Sequence, residues 1–251
     1  MHTIVFVHGF GEDSGIWETI TPAFKGDYQV LTPDLPGCGS VAAGDTTTMD
    51  SMADYLYTWL QEKNISRCSL IGHSMGGYVA LAFAERYPGT LDRLGLFHST
   101  AYADNAEKIE ARKKNIQFIA KHGTRKFLEQ SAPKLFSEQW ATQNPAKVQA
   151  FISRYSYLPP QTLISYTEAM MDRPDRVHVL KSFAGPVLLI LGEYDTAVPL
   201  EQGLKLCSVP EFSYIYIAAN SGHLGMLEEP DFCVKALKDF ISADLPRQKD
   251  Q

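Results

Sequence analysis

Short β-branched runs alternate with longer helical patterns along most of this chain, and this alternation narrows the possible folds more than any other feature. Thr3–Val7 has the length and composition of a buried strand, whereas Met75–Tyr87 has a helical pattern that is ended by Pro-Gly. Strands that alternate with helices predict a mainly parallel α/β sheet flanked by helices. The other predicted strands are Tyr28–Thr32, Cys68–Gly72, Leu91–Phe97, Val187–Leu191 and Tyr214–Ile217, and the other predicted sheet-flanking helices are Thr48–Asn64 and Asp231–Ile241.

The strand pattern is interrupted once, between about residues 99 and 183, where only helical patterns occur. We therefore predict a helical insertion at 99–183 between the fourth and fifth strands, with 1–98 and 184–251 forming the core. Its basic part, around Arg112–Lys126, suits either an anionic ligand or a solvated helix face. Interspersed glutamates favour the solvated face. The predicted helices of the insertion are Ala103–His122, Thr124–Ser131, Pro145–Tyr155 and Gln161–Met171.

Charge and cysteine usage exclude several classes of protein. The 251 residues include 23 Lys and Arg against 29 Asp and Glu, so no basic surplus exists to neutralise nucleic-acid phosphates. The four cysteines lie far apart without metal-ligand spacing, and apolar runs such as Val187–Leu191 are too short to span a membrane. We expect a cytoplasmic protein that acts on a small molecule and uses no metal or cofactor. The oligomeric state is left open.

The sequence GHSMGG at residues 72–77 fits the pattern G-x-S-x-G where a predicted strand meets a predicted helix. A serine on so tight a turn has strained backbone geometry, and small residues on both sides prevent clashes. Its hydroxyl would project beyond the sheet beside the positive end of a helix dipole. In this setting Ser74 is a candidate nucleophile rather than a bystander in a glycine-rich turn.

A serine nucleophile needs a base, and the base needs a carboxylate that orients it. His223 follows the sixth predicted strand, and Asp195 follows the fifth, so both belong to the same edge of the sheet as Ser74. The nearby Glu193 is the rival carboxylate, and an Asx-turn is the structural alternative for Asp195. Of the seven histidines His223 is best placed, whereas His73 is interpreted as a packing residue.

The tetrahedral intermediate of acyl transfer needs two hydrogen-bond donors for its oxyanion. The backbone N–H of Met75 directly follows the candidate nucleophile, and the backbone N–H of Phe10 lies in the loop after the first strand. These two groups are the predicted oxyanion hole. The side chains of Phe10, Trp17 and Leu224 are candidates for the substrate pocket, with packing as the alternative for Phe10 and Trp17.

Together these segments resemble the α/β-hydrolase superfamily over nearly the whole chain. The matching motifs, in order, are HGFGE at 8–12, DLPGCGS at 34–40, GHSMGG at 72–77, GEYDTAVP at 192–199 and SGHLGMLEEP at 221–230. The resemblance implies a nucleophile elbow, a catalytic triad of Ser74, Asp195 and His223, and a helical cap at 99–183 over the serine. Most members begin with a hairpin that has no counterpart before residue 3, which predicts about six strands with Tyr28–Thr32 at an edge. Cys38 stands where an aromatic residue or histidine is common.

The same resemblance separates several activities. Ser74 excludes the mechanism of dehalogenases and epoxide hydrolases, which use an aspartate nucleophile. Leu224 stands where hydroxynitrile lyases carry lysine, and Tyr78 stands where menaquinone-pathway lyases of the MenH type carry arginine. A carboxylesterase is the leading prediction. A MenH-like lyase, a carbon–carbon bond hydrolase and a perhydrolase remain alternatives, as does a non-turnover receptor. The aromatic side chains of the insertion predict small to medium, largely apolar acyl or aryl substrates.

Overall fold

The core of the molecule is a six-stranded sheet in the order β2-β1-β3-β4-β5-β6. A computed structural model describes residues 1–44 and 46–245. Every pair of neighbouring strands is parallel. The predicted fold class is confirmed, and so is the position of the second strand at an edge of the sheet. The strands are β1 (Thr3–Val7), β2 (Gln29–Leu31), β3 (Cys68–His73), β4 (Leu91–Phe97), β5 (Val187–Gly192) and β6 (Ser213–Ala218).

Helices cover the sheet, which is why its central strands consist of almost uninterrupted apolar residues. Every residue of β1, β3 and β5 is buried. Strands that are buried on both faces need this composition, and parallel crossovers place helices on those faces. The helices outside the insertion are α1 (Met49–Glu62), α2 (Met75–Arg86), α8 (Leu200–Leu206), α9 (Gly225–Glu228) and α10 (Pro230–Ser242), with 3₁₀ turns at Ser14–Trp17 and Thr21–Phe24.

The segment between β4 and β5 is helical, as predicted. Gly123, with φ 78° and ψ 173°, breaks its longest helical segment, so two helices lie on either side of this residue, as the sequence indicates; both are numbered together as α3. A residue without a Cβ adopts this positive φ without steric cost. The elements are α3 (Ala106–Ser131), a 3₁₀ turn (Ala132–Lys134), α4 (Glu138–Gln143), α5 (Pro145–Tyr155), α6 (Pro160–Asp172) and α7 (Val177–Ser182).

The short helices α4, α7 and α8 are absent from the prediction, because six or seven residues are too few to show a helical period. The predicted core segment 184–251 ends with residues 246–251, which lie outside the described part of the chain. Within that part, no helix has both the length and the apolar character needed to cross a membrane.

Candidate active site

Ser74 occupies the sharp corner between β3 and α2. Its backbone has φ 51° and ψ −115°, a combination that non-glycine residues rarely adopt. A Cβ at Gly72 would lie 2.2 Å from the backbone of Gly76, and a Cβ at Gly76 would lie 2.5 Å from the carbonyl oxygen of Val7. The two glycines therefore let the corner close against β1. This packing holds the serine in its strained conformation.

The corner brings Ser74 to the two other predicted triad side chains. The Ser74 Oγ lies 2.8 Å from Nε2 of His223, and Nδ1 of His223 lies 2.7 Å from Oδ2 of Asp195. Ser74 follows β3, Asp195 follows β5 and His223 follows β6. They meet because the carboxyl ends of parallel strands share one edge of the sheet. The rival carboxylate Glu193 is exposed to solvent.

Asp195 is buried, and its surroundings favour its charged form. Its Oδ1 accepts hydrogen bonds from the backbone N–H groups of Ala197 and Val198, both at 2.8 Å. Burial by itself raises the pKa of a carboxyl group. Here the charge and hydrogen bond of His223, together with His98, outweigh burial and hold the pKa of Asp195 well below its usual range. Asp195 is therefore a carboxylate at neutral pH, as the orienting group of a catalytic imidazole must be.

A second imidazole faces Asp195, and the sequence reasoning missed it. The Nδ1 of His98 lies 3.5 Å from Oδ2 of Asp195, while its Nε2 accepts the N–H of Gly225 at 3.2 Å. Because Nε2 is an acceptor, the neutral ring carries its proton on Nδ1, toward the carboxylate. Burial lowers the pKa of His98 to about 4, so the ring is neutral near pH 7. The sequence does contain one signal for His98, because this residue directly follows β4 and so belongs to the same edge of the sheet as Asp195.

His73, predicted to be a packing residue, also takes part in a buried ion pair behind the triad. Its Nδ1 lies 3.0 Å from Oε2 of Glu12, and its Nε2 lies 2.9 Å from the carbonyl oxygen of His223. Since both ring nitrogens face acceptors, the ring is a doubly protonated imidazolium. Glu12 also accepts the N–H of Gly9 at 2.9 Å. The pair therefore ties the loop after β1 and the loop that carries His223 to the nucleophile corner.

Replacing Glu12 with glutamine should destabilise the protein by about 1–3 kcal/mol near pH 5.5, because it leaves a buried imidazolium without its counter-charge. Burial disfavours both charges, but their attraction outweighs it, so the pKa of Glu12 lies below its ordinary 4.5 and that of His73 above its ordinary 6.5. Glu12 contributes stability above pH 4.5, which is lost as the pH falls through its folded pKa. His73 contributes stability below pH 6.5, which is lost as the pH rises through its folded pKa.

The difference in unfolding free energy between wild type and Glu12→Gln is therefore largest between pH 4.5 and pH 6.5, and it decreases at alkaline pH. Urea unfolding at about pH 5.5 and about pH 9 measures it. Glu18→Gln is the matched control, because Glu18 forms an exposed ion pair with Arg154 at 2.7 Å and should cost at most about 1 kcal/mol. Equal unfolding free energies for wild type and Glu12→Gln at both pH values would show that the pair is not charged.

A third carboxylate, Glu228, organises the loop that holds His223. It accepts hydrogen bonds from the backbone N–H groups of Gly222 at 3.0 Å, Leu224 at 3.1 Å and Ser137 at 2.7 Å. The N–H of His223 itself donates to the carbonyl oxygen of Leu135 at 2.6 Å. Ser137 and Leu135 belong to the insertion. The imidazole that contacts Ser74 is therefore held in part by the insertion, a link that sequence spacing does not reveal.

The predicted oxyanion donors belong to α2 and to the loop after β1, which packs against the corner that carries Ser74. Met75 is the first residue of α2, and Phe10 lies in the loop after β1, where its side chain lines the cavity that contains Ser74. Within the described chain, neither backbone N–H donates a hydrogen bond to another group. Both donors are therefore available to a developing negative charge next to Ser74.

Ser74 and His223 open into a cavity of about 640 Å³, which is large enough for a small organic substrate. Phe127, Leu128, Phe151 and Met170 of the insertion form much of its apolar wall.

Two predicted pocket residues are corrected. The side chain of Trp17 is completely buried in the core, 4.9 Å from the ring of Phe6 and 5.3 Å from that of Phe97 between ring centroids. Leu224 is also completely buried. Neither lines the cavity, because the apolar neighbours of each lie on the core side.

In residues 1–44 and 46–245, no group of three or more His, Cys, Asp or Glu side chains is arranged to hold a metal ion. The chemistry that this arrangement supports on its own is nucleophilic: a hydroxyl, a base that accepts its proton, a carboxylate that orients the base, and two amides beside the reacting atom.

The chain is similar to known proteins over nearly its whole length. The model of the alpha/beta hydrolase family matches residues 4–236. The putative carbamate hydrolase RutD of Pantoea ananatis is 26% identical over 247 residues, covering 95% of this chain and 88% of that protein. The 3-oxoadipate enol-lactonase 1 of Acinetobacter baylyi is 24% identical over 249 residues, covering 96% and 88%. A solved thermophilic esterase from Thermogutta terrifontis has a TM-score of 0.90 at 27% identity, covering 96% of this chain and 89% of that one.

Proposed function

Because this chain belongs to the alpha/beta hydrolase family, we propose that it cleaves carboxylic esters through an acyl-enzyme formed on Ser74. The observation that carries the proposal is the continuous hydrogen-bonded series from Ser74 through His223 to Asp195, at 2.8 and 2.7 Å. The names of two relatives, an esterase and an enol-lactonase, also favour bonds of the ester type.

In the proposed mechanism the Ser74 hydroxyl attacks the ester carbonyl while Nε2 of His223 takes its proton. Asp195 holds the proton of the ring on Nδ1 and stabilises the imidazolium that forms. The amides of Phe10 and Met75 bind the oxyanion of the tetrahedral intermediate. The imidazolium then protonates the leaving alcohol. Water, activated by the same imidazole, next releases the acid from Ser74.

We infer further that the insertion at 99–183 acts as a cap that sets substrate size. It supplies apolar cavity walls at Phe127, Leu128, Phe151 and Met170, and it contacts the His223 loop through Leu135 and Ser137. A cavity of about 640 Å³ suits small to medium acyl or aryl groups. Displacing the insertion would both open the cavity and loosen the base.

The proposal predicts a burst of one p-nitrophenolate per enzyme, followed by slower turnover, when the protein is mixed with an excess of a short-chain p-nitrophenyl ester. The burst arises because the acyl-enzyme forms faster than water releases it. Stopped-flow absorbance measures it, with Ser74→Ala as the control that should show no burst.

The same proteins are then assayed with a thioester, an epoxide and a vinylogous 1,5-diketone. Turnover of the diketone without ester turnover would identify a carbon–carbon bond hydrolase instead. Elimination chemistry without any burst would favour a MenH-like lyase. Ligand-dependent stabilisation without turnover of any compound would favour a receptor.

A further inference from the structure

The cavity contains a guanidinium whose terminal nitrogens have no hydrogen-bond partner among residues 1–44 and 46–245. Arg112, on α3, lines the same cavity as Ser74. Its Nε donates to Oδ2 of Asp104, and in the described chain this is its one hydrogen bond. An arginine carries five N–H donors in a planar fork, so the terminal nitrogens of Arg112 remain free to bind another group. Its side chain is only 14% exposed, so few water molecules can accept hydrogen bonds from these nitrogens.

The charges around this arginine do not cancel. Asp104 has a completely buried side chain and accepts from two arginines, Arg112 and Arg173, with Arg173 Nη2 at 2.8 Å from Oδ1. Burial favours a protonated Asp104, but the two guanidinium groups outweigh it and lower its pKa. Asp104 is therefore ionised, and two positive charges share one negative charge. The cluster carries a net charge of +1.

Arg173 does not supply the free donors, because it does not line the cavity and both of its terminal nitrogens already donate. Its terminal nitrogens donate to the carbonyl oxygens of Met170 and Tyr102 as well as to Asp104. Its guanidinium also lies over the ring of Tyr78, 3.9 Å from the centroid. Tyr78 lines the cavity one helical turn after Ser74. The surplus charge therefore reaches the cavity through Arg112.

The other charged groups of the cavity balance one another. Lys108 and Lys205 are matched by Glu107 and Glu201, and the buried Glu12 is paired with His73. Those six charges sum to zero, so the net charge on the lining comes from Arg112, which shares its partner Asp104 with Arg173.

The basic segment Arg112–Lys126 is a solvated helix face, as predicted, except at Arg112. Lys113, Arg125 and Lys126 form exposed ion pairs with Glu110 and Glu129, as that interpretation expects. Arg112 instead turns inward to the buried Asp104.

We propose that Arg112 binds a carboxylate of the substrate, so that the preferred esters carry a carboxylate at a distance from the bond that is cleaved. A carboxylate matches the two terminal N–H groups of a guanidinium in bidentate geometry. The substrate would place its apolar body against the wall formed by Phe127 and Phe151 and its anionic end on Arg112. This inference deepens the proposed ester hydrolysis and rests on it.

The test compares kcat/KM for two matched pairs of esters. The first pair is p-nitrophenyl hydrogen glutarate and its methyl ester, which place or remove a carboxylate on the acyl side. The second is 4-carboxyphenyl valerate and its methyl ester, which do so on the alcohol side. In either the acyl-side pair or the alcohol-side pair, Arg112→Gln should lower kcat/KM for the anionic ester by about 10- to 100-fold. The value of kcat/KM for the neutral ester of that pair should change by less than about 3-fold.

Two variants control for charge and folding. Lys113→Gln removes a neighbouring exposed charge and should leave the preference unchanged. Arg112→Lys keeps the charge but loses the planar fork, so it should retain an intermediate preference. The ion pair between Asp104 and Arg173 remains in every variant, so Asp104 is never left without a counter-charge. Thermal unfolding verifies that each variant is folded. An unchanged anionic-to-neutral ratio in both ester pairs on loss of Arg112 would overturn the proposal.

A binding measurement separates this inference from the proposed function. Calorimetry with glutarate compares Ser74→Ala with the double variant Ser74→Ala/Arg112→Gln. Weaker binding to the double variant supports the carboxylate site even if the enzyme cleaves none of the esters. Equal or absent binding to both, together with normal ester hydrolysis, would reject the site and leave ester hydrolysis intact.

Discussion

Replacing Ser74 with alanine should lower kcat for ester hydrolysis by about six orders of magnitude, because no acyl-enzyme can form without the hydroxyl. The expected residual rate comes from substrate binding and from the Phe10 and Met75 amides, which the substitution leaves in place. His223 keeps its hydrogen bond to Asp195, so the variant should fold normally. Initial rates with a p-nitrophenyl ester and labelling by a fluorophosphonate probe measure the two consequences of the change.

Ser131→Ala is the matched control for this experiment. Ser131 lines the same cavity, but its hydroxyl donates to the carbonyl oxygen of Phe127 one helical turn earlier. It has no imidazole to remove its proton, so its loss should change the rate by less than about 3-fold and leave labelling intact. Full labelling of Ser74→Ala would mean that another residue is the nucleophile.

Replacing Asp195 with asparagine should lower kcat by about four orders of magnitude while preserving the fold. The carboxylate now accepts the Nδ1 proton of His223 at 2.7 Å, whereas an amide can donate to that nitrogen. The ring would then carry its proton on Nε2, where it cannot accept one from Ser74. His98, 3.5 Å from Oδ2, cannot replace the carboxylate because it too is a donor toward this position.

Glu193→Gln distinguishes the two carboxylates that the sequence offers after β5. Glu193 is exposed and should be replaceable with less than about a 3-fold change in kcat. Steady-state kinetics on both variants over a range of pH measures the difference. A loss of activity in Glu193→Gln combined with an active Asp195→Asn would reverse the assignment.

Features that depend on neighbouring residues were predicted most accurately. Leu91–Phe97 and Pro145–Tyr155 begin and end where the sequence places them. Burial on both faces of the sheet requires an apolar run, and a glycine or proline beside such a run ends it, so both signals are local. Short helices without a full period and the exact ends of β2 and β6 carry weaker local signals.

Parts of the site that depend on packing were missed or wrongly placed. Trp17 has the same local sequence whether it faces a pocket or the core, and contacts with Phe6 and Phe97 decide in favour of the core. The partners of His73 and His98 are distant in the chain, because they lie in loops after other strands. No spacing rule predicts such contacts, since they form only when the sheet brings its strand ends together.

By itself the sequence determined the order of strands and helices and the candidate groups Ser74, Asp195 and His223, because hydrophobic period, turn glycines and chain order are properties of the chain. Only the tertiary structure decided which groups share a low-dielectric environment. It paired Glu12 with His73, and it left a net positive charge on the cluster of Arg112, Arg173 and Asp104 beside the cavity. Charges interact according to their distance and burial, and both are set by packing between segments far apart in the sequence.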